Sequence, residues 1–164
     1  GRALMKIMQR NVFFAWQLLA ILIIGLTLGG CLRLVADYDS TTFEEIIKIG
    51  KKVDRFYGDL LEARATDRQY QKYADKYVEI ETDLRSLYTR NKARALNNES
   101  TEISEIILKI WVKYKTKHAA GNGYGDAIAK LDRGRFTRLF ISAADAETAK
   151  KLDAGDKDTE QASK

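Results

Sequence analysis

Residues 70–87, YQKYADKYVEIETDLRSL, carry the clearest structural signal in this 164-residue chain. The heptad spacing of their large apolar side chains places these on one face of an α-helix and predicts that this face is buried. A capping-box pair, Thr66 and Gln69, predicts that the helix begins near Thr66, and it continues to about Leu96. The three tyrosines of this face are expected in the core, with a sugar- or partner-stacking surface as the alternative. The face consists of Tyr70, Tyr73, Tyr77, Ile80, Leu84 and Leu87.

A second amphipathic pattern precedes this helix. Thr42 and Glu45 form another capping box, so a helix is predicted from about residue 43 to 63. Its apolar residues step by three and four positions, as one helical face requires. They are Phe43, Ile46, Val53, Tyr57 and Leu60, with Gly50 in the same row.

Two further helices are predicted after residue 98. The third begins near Ser100 or Thr101 and ends at the turn GNGYG, residues 121–125. The fourth is shorter and ends by Ser142, and a polar, largely disordered tail is predicted over residues 143–164. The apolar faces are Ile103, Ile106, Ile107, Ile110 and Tyr114 in the third helix, and Ile128, Leu131, Phe136, Leu139 and Phe140 in the fourth.

Together these patterns predict an all-α fold. The expected architecture is an antiparallel bundle of three long helices plus a shorter fourth, over residues 42–142. The length, with 45% apolar and 31% charged residues, suits one globular domain. A monomer is the simpler state, and the heptad face leaves a helix-mediated oligomer open.

Most of the net positive charge of the chain comes from its N-terminal residues. The net charge is +5, and the first 30 residues hold three of the 28 basic residues and no acidic one. The remaining 25 basic side chains are nearly balanced by 23 acidic ones. Because a balanced domain lacks the basic patch of a nucleic-acid-binding protein, no nucleic-acid partner is predicted.

The N-terminus has the zones of an export signal in the usual order. A basic start is followed by an uncharged apolar segment, residues 12–28. The last residue of that segment, Leu28, begins the run Leu28, Gly29, Gly30 and Cys31. An aliphatic residue, two small residues and a cysteine resemble the lipobox of bacterial lipoproteins. The chemistry is consistent with the residues, because a thiolate is the natural nucleophile for forming a thioether.

The lipobox resemblance implies removal of a signal peptide, residues 1–30, so that Cys31 becomes the N-terminus and carries a diacylglyceryl group and an N-acyl chain. It implies a protein of the bacterial cell envelope, anchored to the membrane and facing the periplasm, with residues 31–41 as a lipidated tether. Lipidation also accounts for a single cysteine in an exported protein. A retained transmembrane helix over residues 12–28 is the alternative, since about 17 residues is the lower limit of a span.

Few residues suggest catalysis or metal binding. His118 is the only histidine and lies among lysines with no cysteine nearby, so neither a metal site nor a general base is predicted. The glycines of GNGYG lack the preceding strand and the following Gly-Lys-Ser or Gly-Lys-Thr of a phosphate-binding loop. Paired carboxylates such as Glu44 and Glu45 are expected on solvated helix faces. No cofactor other than the covalent lipid is predicted.

One local group combines positive charge with an aromatic ring. It consists of Arg133, Arg135, Phe136 and Arg138, and it is the candidate surface for a protein partner or anionic lipid headgroups, with a solvated helix face as the alternative. The sequence therefore predicts a non-catalytic envelope lipoprotein whose bundle binds another envelope protein, as an adaptor, inhibitor or exclusion factor. A small envelope or cell-wall-active hydrolase is the alternative function.

Overall fold

The computed structural model describes the backbone of residues 35–161 and the side chains of residues 35–151, and this part of the chain contains helices and no strand. The helices are α1 (Ser40–Glu62), α2 (Ala74–Ala93), α3 (Asn98–Gly121) and α4 (Asp126–Gln161), with two single-turn 3₁₀ helices, Ala65–Asp67 and Tyr70–Lys72, between α1 and α2. The helix α1 packs against α2 and α4, and α3 packs against the same two helices, so four helices surround one core. The predicted all-α class is confirmed.

The core is built mainly of aromatic rings. Trp111 of α3 is fully buried, and its ring centroid lies 5.1 Å from those of Phe56 and Tyr77. Its indole N–H donates a hydrogen bond to the Tyr77 carbonyl oxygen at 3.2 Å, so the one polar atom of the ring is satisfied. Phe136 of α4 packs edge-on against Trp111 at 5.7 Å. These contacts tie all four helices to the same cluster.

The helix α1 begins earlier than predicted, at Ser40. Asp39 is its N-cap, because the Asp39 carboxylate accepts hydrogen bonds from the Thr41 backbone N–H at 3.1 Å and from the Thr42 hydroxyl at 2.5 Å. The capping box predicted at Thr42 and Glu45 is therefore wrong, since Thr42 already lies inside the helix.

The start of α2 also differs from the prediction. The α-helix begins at Ala74, and the Gln69 side chain donates to the Thr66 carbonyl oxygen rather than capping a helix. Two 3₁₀ turns lie between Thr66 and Ala74, where the α-helix was predicted. Tyr73 and Tyr77 are nevertheless buried, as the heptad pattern predicts. The half-buried Tyr70 stacks on Tyr77 with 5.7 Å between ring centroids. Core packing is thus the correct interpretation of these tyrosines.

The helix α4 departs most from the sequence prediction. It is 36 residues long, the longest of the four rather than a shorter one, and it runs through Gln161 instead of ending by Ser142. Ala143 is 5% exposed and Glu147 is fully buried, so the chain past residue 142 packs in the bundle and is not a disordered tail there. Alanine favours helix without adding a large apolar stripe, which is why apolar periodicity misses this segment.

Three residues predicted in the core are at the surface instead. Ile106, Ile128 and Leu131 are 39%, 55% and 53% exposed. In α3, Trp111 and Ile107 occupy the centre of the buried face. The apolar pattern of α3 and α4 is therefore wider than the stripe that the core covers.

The segment before α1 is hydrogen-bonded to the bundle. The Ala36 backbone N–H donates to the Leu96 carbonyl oxygen at 3.0 Å, and the Asp39 backbone N–H donates to the Glu147 carboxylate at 2.8 Å. The part of the predicted tether that the structure describes is thus docked, and its last residues, Ser40 and Thr41, belong to α1.

Candidate functional site

An apolar groove runs between α1 and α4, and we call it the α1–α4 groove. It encloses about 370 Å³, and Gly50 forms part of its floor. A Cβ atom on Gly50 would lie 3.2 Å from the Phe140 ring, so the missing side chain lets the two helices approach closely. The groove is lined mainly by aliphatic and aromatic side chains, including Ile46, Ile47, Val53, Phe136, Phe140 and Ile141.

Part of the groove remains open to solvent. Ile47 is 38% exposed and Ile141 is 54% exposed, although both belong to helices that pack against each other. Exposed aliphatic side chains that line a concave surface are typical of sites that bind another apolar surface.

A basic strip lies on α1 beside this groove. It consists of Lys48, Lys51 and Arg55, which are exposed and have no ion-pair partner among the described residues. Together with Phe43, Ile47, the ion-paired Lys52 and the exposed Glu44, these residues line a shallow depression of about 500 Å³. The strip therefore presents three cations without an ion-pair partner next to apolar surface, and Glu44 is the carboxylate in the same lining.

The arginine group predicted as a partner surface is divided by the fold. Arg133 lies at the groove and makes two hydrogen bonds to the Asp54 carboxylate, at 2.7 and 2.8 Å, and these lower the pKa of Asp54. Arg135 lies on another side of α4, with its guanidinium 5.8 Å from the Tyr114 ring centroid, and Arg138 is exposed.

Phe136 does not belong to that surface as predicted. It is 1% exposed and packs on Tyr57, Trp111 and Tyr114, because it lies on the core face of α4. The predicted four-residue patch is corrected accordingly: Phe136 is a core residue, and the three arginines do not form one surface.

The predicted lipidation site lies outside the described residues. This holds for Cys31, for the lipobox residues Leu28, Gly29 and Gly30, and for the apolar segment 12–28. Among the helices that the structure describes, none has the length and apolar character needed to cross a bilayer.

His118 is a buried structural residue in this fold. Its Nε2 lies 2.7 Å from the Arg68 carbonyl oxygen, which can only accept, so Nε2 carries the proton. Nδ1 then accepts from the Tyr77 hydroxyl at 3.0 Å. Burial lowers the pKa of His118, and the bond to the Arg68 carbonyl offsets part of that effect. Both ring nitrogens are engaged, so the imidazole has no free lone pair for a metal or a substrate proton.

Arg68, which the sequence does not single out, organises the chain around His118. It is 3% exposed and donates to the carbonyl oxygens of Ala63 at 2.7 Å and Tyr124 at 3.0 Å. It also forms an ion pair with Asp126 at the start of α4. One arginine thereby joins the end of α1 to the start of α4. No periodic or motif signal marks such a residue, because its partners are mostly backbone carbonyls.

A second buried polar cluster lies near the start of α1. The fully buried Glu147 accepts two hydrogen bonds from the Arg94 guanidinium at 3.1 Å and one from the Lys150 ammonium at 2.6 Å. Lys150 also donates to the Asn97 side-chain oxygen at 2.5 Å and to the Ser100 hydroxyl at 2.9 Å. Burial alone would raise the pKa of Glu147, but these hydrogen bonds outweigh it and hold the pKa below its usual value. The cluster therefore stabilises the fold as an ion-pair network.

The described residues contain no group of three histidine, cysteine, aspartate or glutamate side chains placed to hold a metal ion. Comparison of the chain with protein-family models, with curated proteins and with solved structures found no match.

Proposed function

We propose that this protein is a bacterial envelope lipoprotein, anchored through Cys31, whose helical domain binds another envelope protein in the α1–α4 groove without catalysing a reaction. In this proposal the four helices form an antiparallel bundle behind an N-terminal lipoprotein signal, and the domain faces the periplasm. The observation that carries the proposal is the open apolar groove beside a strip of unpaired basic side chains.

The occupant that fits this surface is an amphipathic helix of the partner with acidic residues along one edge. A groove between two helices, with exposed aliphatic side chains such as Ile47 and Ile141, matches the way proteins bind the apolar face of a helix. The neighbouring Lys48, Lys51 and Arg55 would pair with the acidic edge, which provides specificity and speeds association.

A binding role rather than a hydrolase is supported by three polar side chains: the buried His118 and Glu147, and the surface residue Asp54. Both nitrogens of His118 are engaged with Tyr77 and Arg68. The carboxylate of Asp54 is held by Arg133, and that of Glu147 by Arg94 and Lys150. A general base needs a free lone pair within reach of substrate, and these groups are committed to structural partners.

The anchor is tested by replacing Cys31 with serine in a bacterial host. The variant cannot form a thioether, so we expect no incorporation of labelled palmitate and an uncut precursor, whereas the wild type is lipidated and cut before Cys31. Stable attachment needs more than one acyl chain, which the lipoprotein modification supplies at this single residue. A wild-type protein that keeps residues 1–30 and takes up no palmitate would favour the retained transmembrane helix.

The groove is tested by placing the photoreactive amino acid benzoylphenylalanine at Ile47 or Ile141 in cells. The matched control position is Val78, which is 55% exposed on α2. We expect both groove positions, and not Val78, to crosslink to the same envelope protein, identified by mass spectrometry. Adducts with a second copy of this chain, or with lipid, would contradict the proposed occupant.

The identified partner is then purified and titrated with charge variants. Lys51→Glu should weaken binding by about tenfold or more and reduce its sensitivity to salt, because a rim cation acts mainly through electrostatic attraction. The control is Lys113→Glu, an exposed lysine on α3 that does not line the groove. Equal affinities for the two variants would refute the role of the basic strip.

A further inference from the structure

The turn between α2 and α3 carries an exposed leucine with an unusual backbone conformation. Leu96 is 50% exposed, and its φ of 58° lies in the left-handed region. Among the described non-glycine residues, only Asn122 also has a positive φ. Asparagine tolerates this region because its short polar side chain can hydrogen-bond locally, whereas the Cβ atom of a leucine crowds the backbone. A leucine at position 96 therefore costs the fold stability that an asparagine would largely spare.

Packing in the bundle does not account for a leucine at this position. Leu96 is not among the side chains that pack on the hydrophobic core. Val35, which is 38% exposed, lies near it, because the adjacent Ala36 backbone N–H donates to the Leu96 carbonyl oxygen at 3.0 Å. We call Val35 and Leu96 the Leu96 tip. The exposed charged residues on either side of the turn, Lys92 and Glu99, have opposite signs, so the tip is an apolar feature rather than an electrostatic one.

The segment before α1 is fixed to the bundle beside this tip. The Asp39 backbone N–H donates to the buried Glu147 carboxylate at 2.8 Å, and the Lys151 ammonium lies 4.2 Å from the Tyr38 ring centroid. Together with the hydrogen bond to Leu96, these contacts hold residues 36–39 along the bundle. The Leu96 tip therefore lies at the point where the chain enters the bundle.

Chain length limits how far the tip can lie from the proposed membrane attachment. Cys31 is four residues before Val35, and an extended chain spans about 3.5 Å per residue, so the two Cα atoms lie within about 14 Å of each other in any conformation. A retained transmembrane helix that ends at residue 28 would give a reach of about 25 Å. By contrast, α1 has 23 residues and is about 34 Å long, so its far end is much farther from the attachment. Either kind of anchor thus holds the Leu96 tip next to the bilayer.

We propose that the Leu96 tip inserts into the boundary between headgroups and acyl chains of the membrane to which the N-terminus is attached. The proposal rests on the membrane attachment in the proposed function, and it adds which end of the domain faces the bilayer. Burial of an exposed leucine in this boundary is favourable because its apolar surface leaves water, and this gain offsets the cost of the left-handed backbone. Because the contact is apolar, it does not require anionic lipids.

The proposal is tested by placing benzoylphenylalanine at Leu96 of the full chain in cells and irradiating them. The matched control position is Val78, which is 55% exposed near the start of α2. We expect the purified protein to gain the mass of one phospholipid when the probe is at Leu96, and no such gain when it is at Val78. Attachment is measured separately, as the share of the protein in the membrane fraction.

The variant Leu96→Asn separates lipid contact from folding. Asparagine suits the left-handed backbone, so we expect an unchanged or higher melting temperature. With the photoreactive residue at the exposed neighbour Ala95, the yield of the phospholipid adduct should fall by about fivefold or more in this variant, because the inserted apolar side chain is lost. The control Val78→Asn should leave the yield at Ala95 unchanged.

Two results would overturn this proposal and leave the proposed attachment intact. One is a protein that stays in the membrane fraction while the probe at Leu96 gives no phospholipid adduct, or gives an adduct with a protein or with a second copy of this chain. The other is a lower melting temperature of Leu96→Asn with an unchanged adduct yield, since the leucine would then serve the fold. A protein that is absent from the membrane fraction would overturn the attachment and this proposal together.

Discussion

Replacing Glu147 with alanine is expected to destabilise the domain strongly. The carboxylate is fully buried and holds Arg94 and Lys150, which are 18% and 5% exposed at their side chains. It also accepts the Asp39 backbone N–H at 2.8 Å, so it joins the segment before α1, the end of α2 and the late part of α4. Removing it leaves two cations with little solvent access and one backbone donor without their acceptor.

Breaking a buried ion pair from one side typically costs about 3 to 5 kcal/mol, because the remaining charge stays desolvated. Lys150 keeps its bonds to Asn97 and Ser100, which places the cost near the lower end of that range. We therefore expect Glu147→Ala to lower the free energy of unfolding by about 3 kcal/mol, or the melting temperature by roughly 10 °C.

The assay is thermal unfolding followed by circular dichroism, on the full chain in a mild detergent. The matched control is Asp145→Ala, an exposed carboxylate on the same helix, which should cost under about 0.5 kcal/mol. The double variant Glu147→Leu/Lys150→Met removes both charges and should recover much of the loss. If Glu147→Ala melts together with the control, α4 does not pack beyond residue 142 and the disordered tail predicted from sequence is correct.

The Glu147 network should stabilise the fold less in acid than at neutral pH. The folded-state pKa of Glu147 lies below its ordinary value of 4.5, so its stabilisation is present above that pH. It is lost as the pH falls through the lower folded-state pKa. The difference in stability between the wild type and Glu147→Ala should therefore narrow in acid, and a difference that widens there would contradict the network.

The pKa of His118 should lie below 6.5 and its neutral ring should carry the proton on Nε2, because burial lowers the pKa and Nε2 donates to the Arg68 carbonyl oxygen. The stabilisation that the neutral ring provides is lost as the pH falls through that lowered pKa, and an NMR titration midpoint at or above 6.5 would refute this. Asp132→Asn should raise the melting temperature at pH 7 and have little effect on it near pH 3. Burial raises the pKa of Asp132 from 3.8, so the ionised carboxylate lowers the stability of the fold once the pH exceeds that raised pKa. A lower melting temperature of the variant at pH 7 would contradict this prediction. Gly121→Ala should add about 0.5 kcal/mol to the free energy of unfolding, because nothing lies within 4 Å of the added methyl group. Gly50→Val should subtract about 1 to 3 kcal/mol, because its side chain would press on the Phe140 ring. Equal urea midpoints for the two variants would show that the close contact between Gly50 and Phe140 is absent.

The sequence predicts much of the fold and less of the candidate sites. Regular spacing of Tyr77, Ile80, Leu84 and Leu87 identifies the buried face of α2, because a helix repeats every 3.6 residues. The α1–α4 groove could not be predicted, since it depends on two helices that meet at Gly50. The sequence shows the basic residues of the strip, Lys48, Lys51 and Arg55. Only the packing of the helices shows that these side chains have no ion-pair partner among the described residues.

Residue patterns alone determined that the chain forms amphipathic helices and placed the starts of α1 and α3 within a few residues. They also showed that the N-terminal residues resemble a lipoprotein signal. The tertiary structure decided that α4 is long, that His118 and Arg68 are buried and that Glu147 holds two cations. The physical reason is that apolar periodicity reports burial driven by the hydrophobic effect, which acts locally along a helix. Burial of a charged or polar side chain depends instead on partners far away in sequence, such as Arg94 for Glu147 and Tyr124 for Arg68, and these partners are brought together only by the fold.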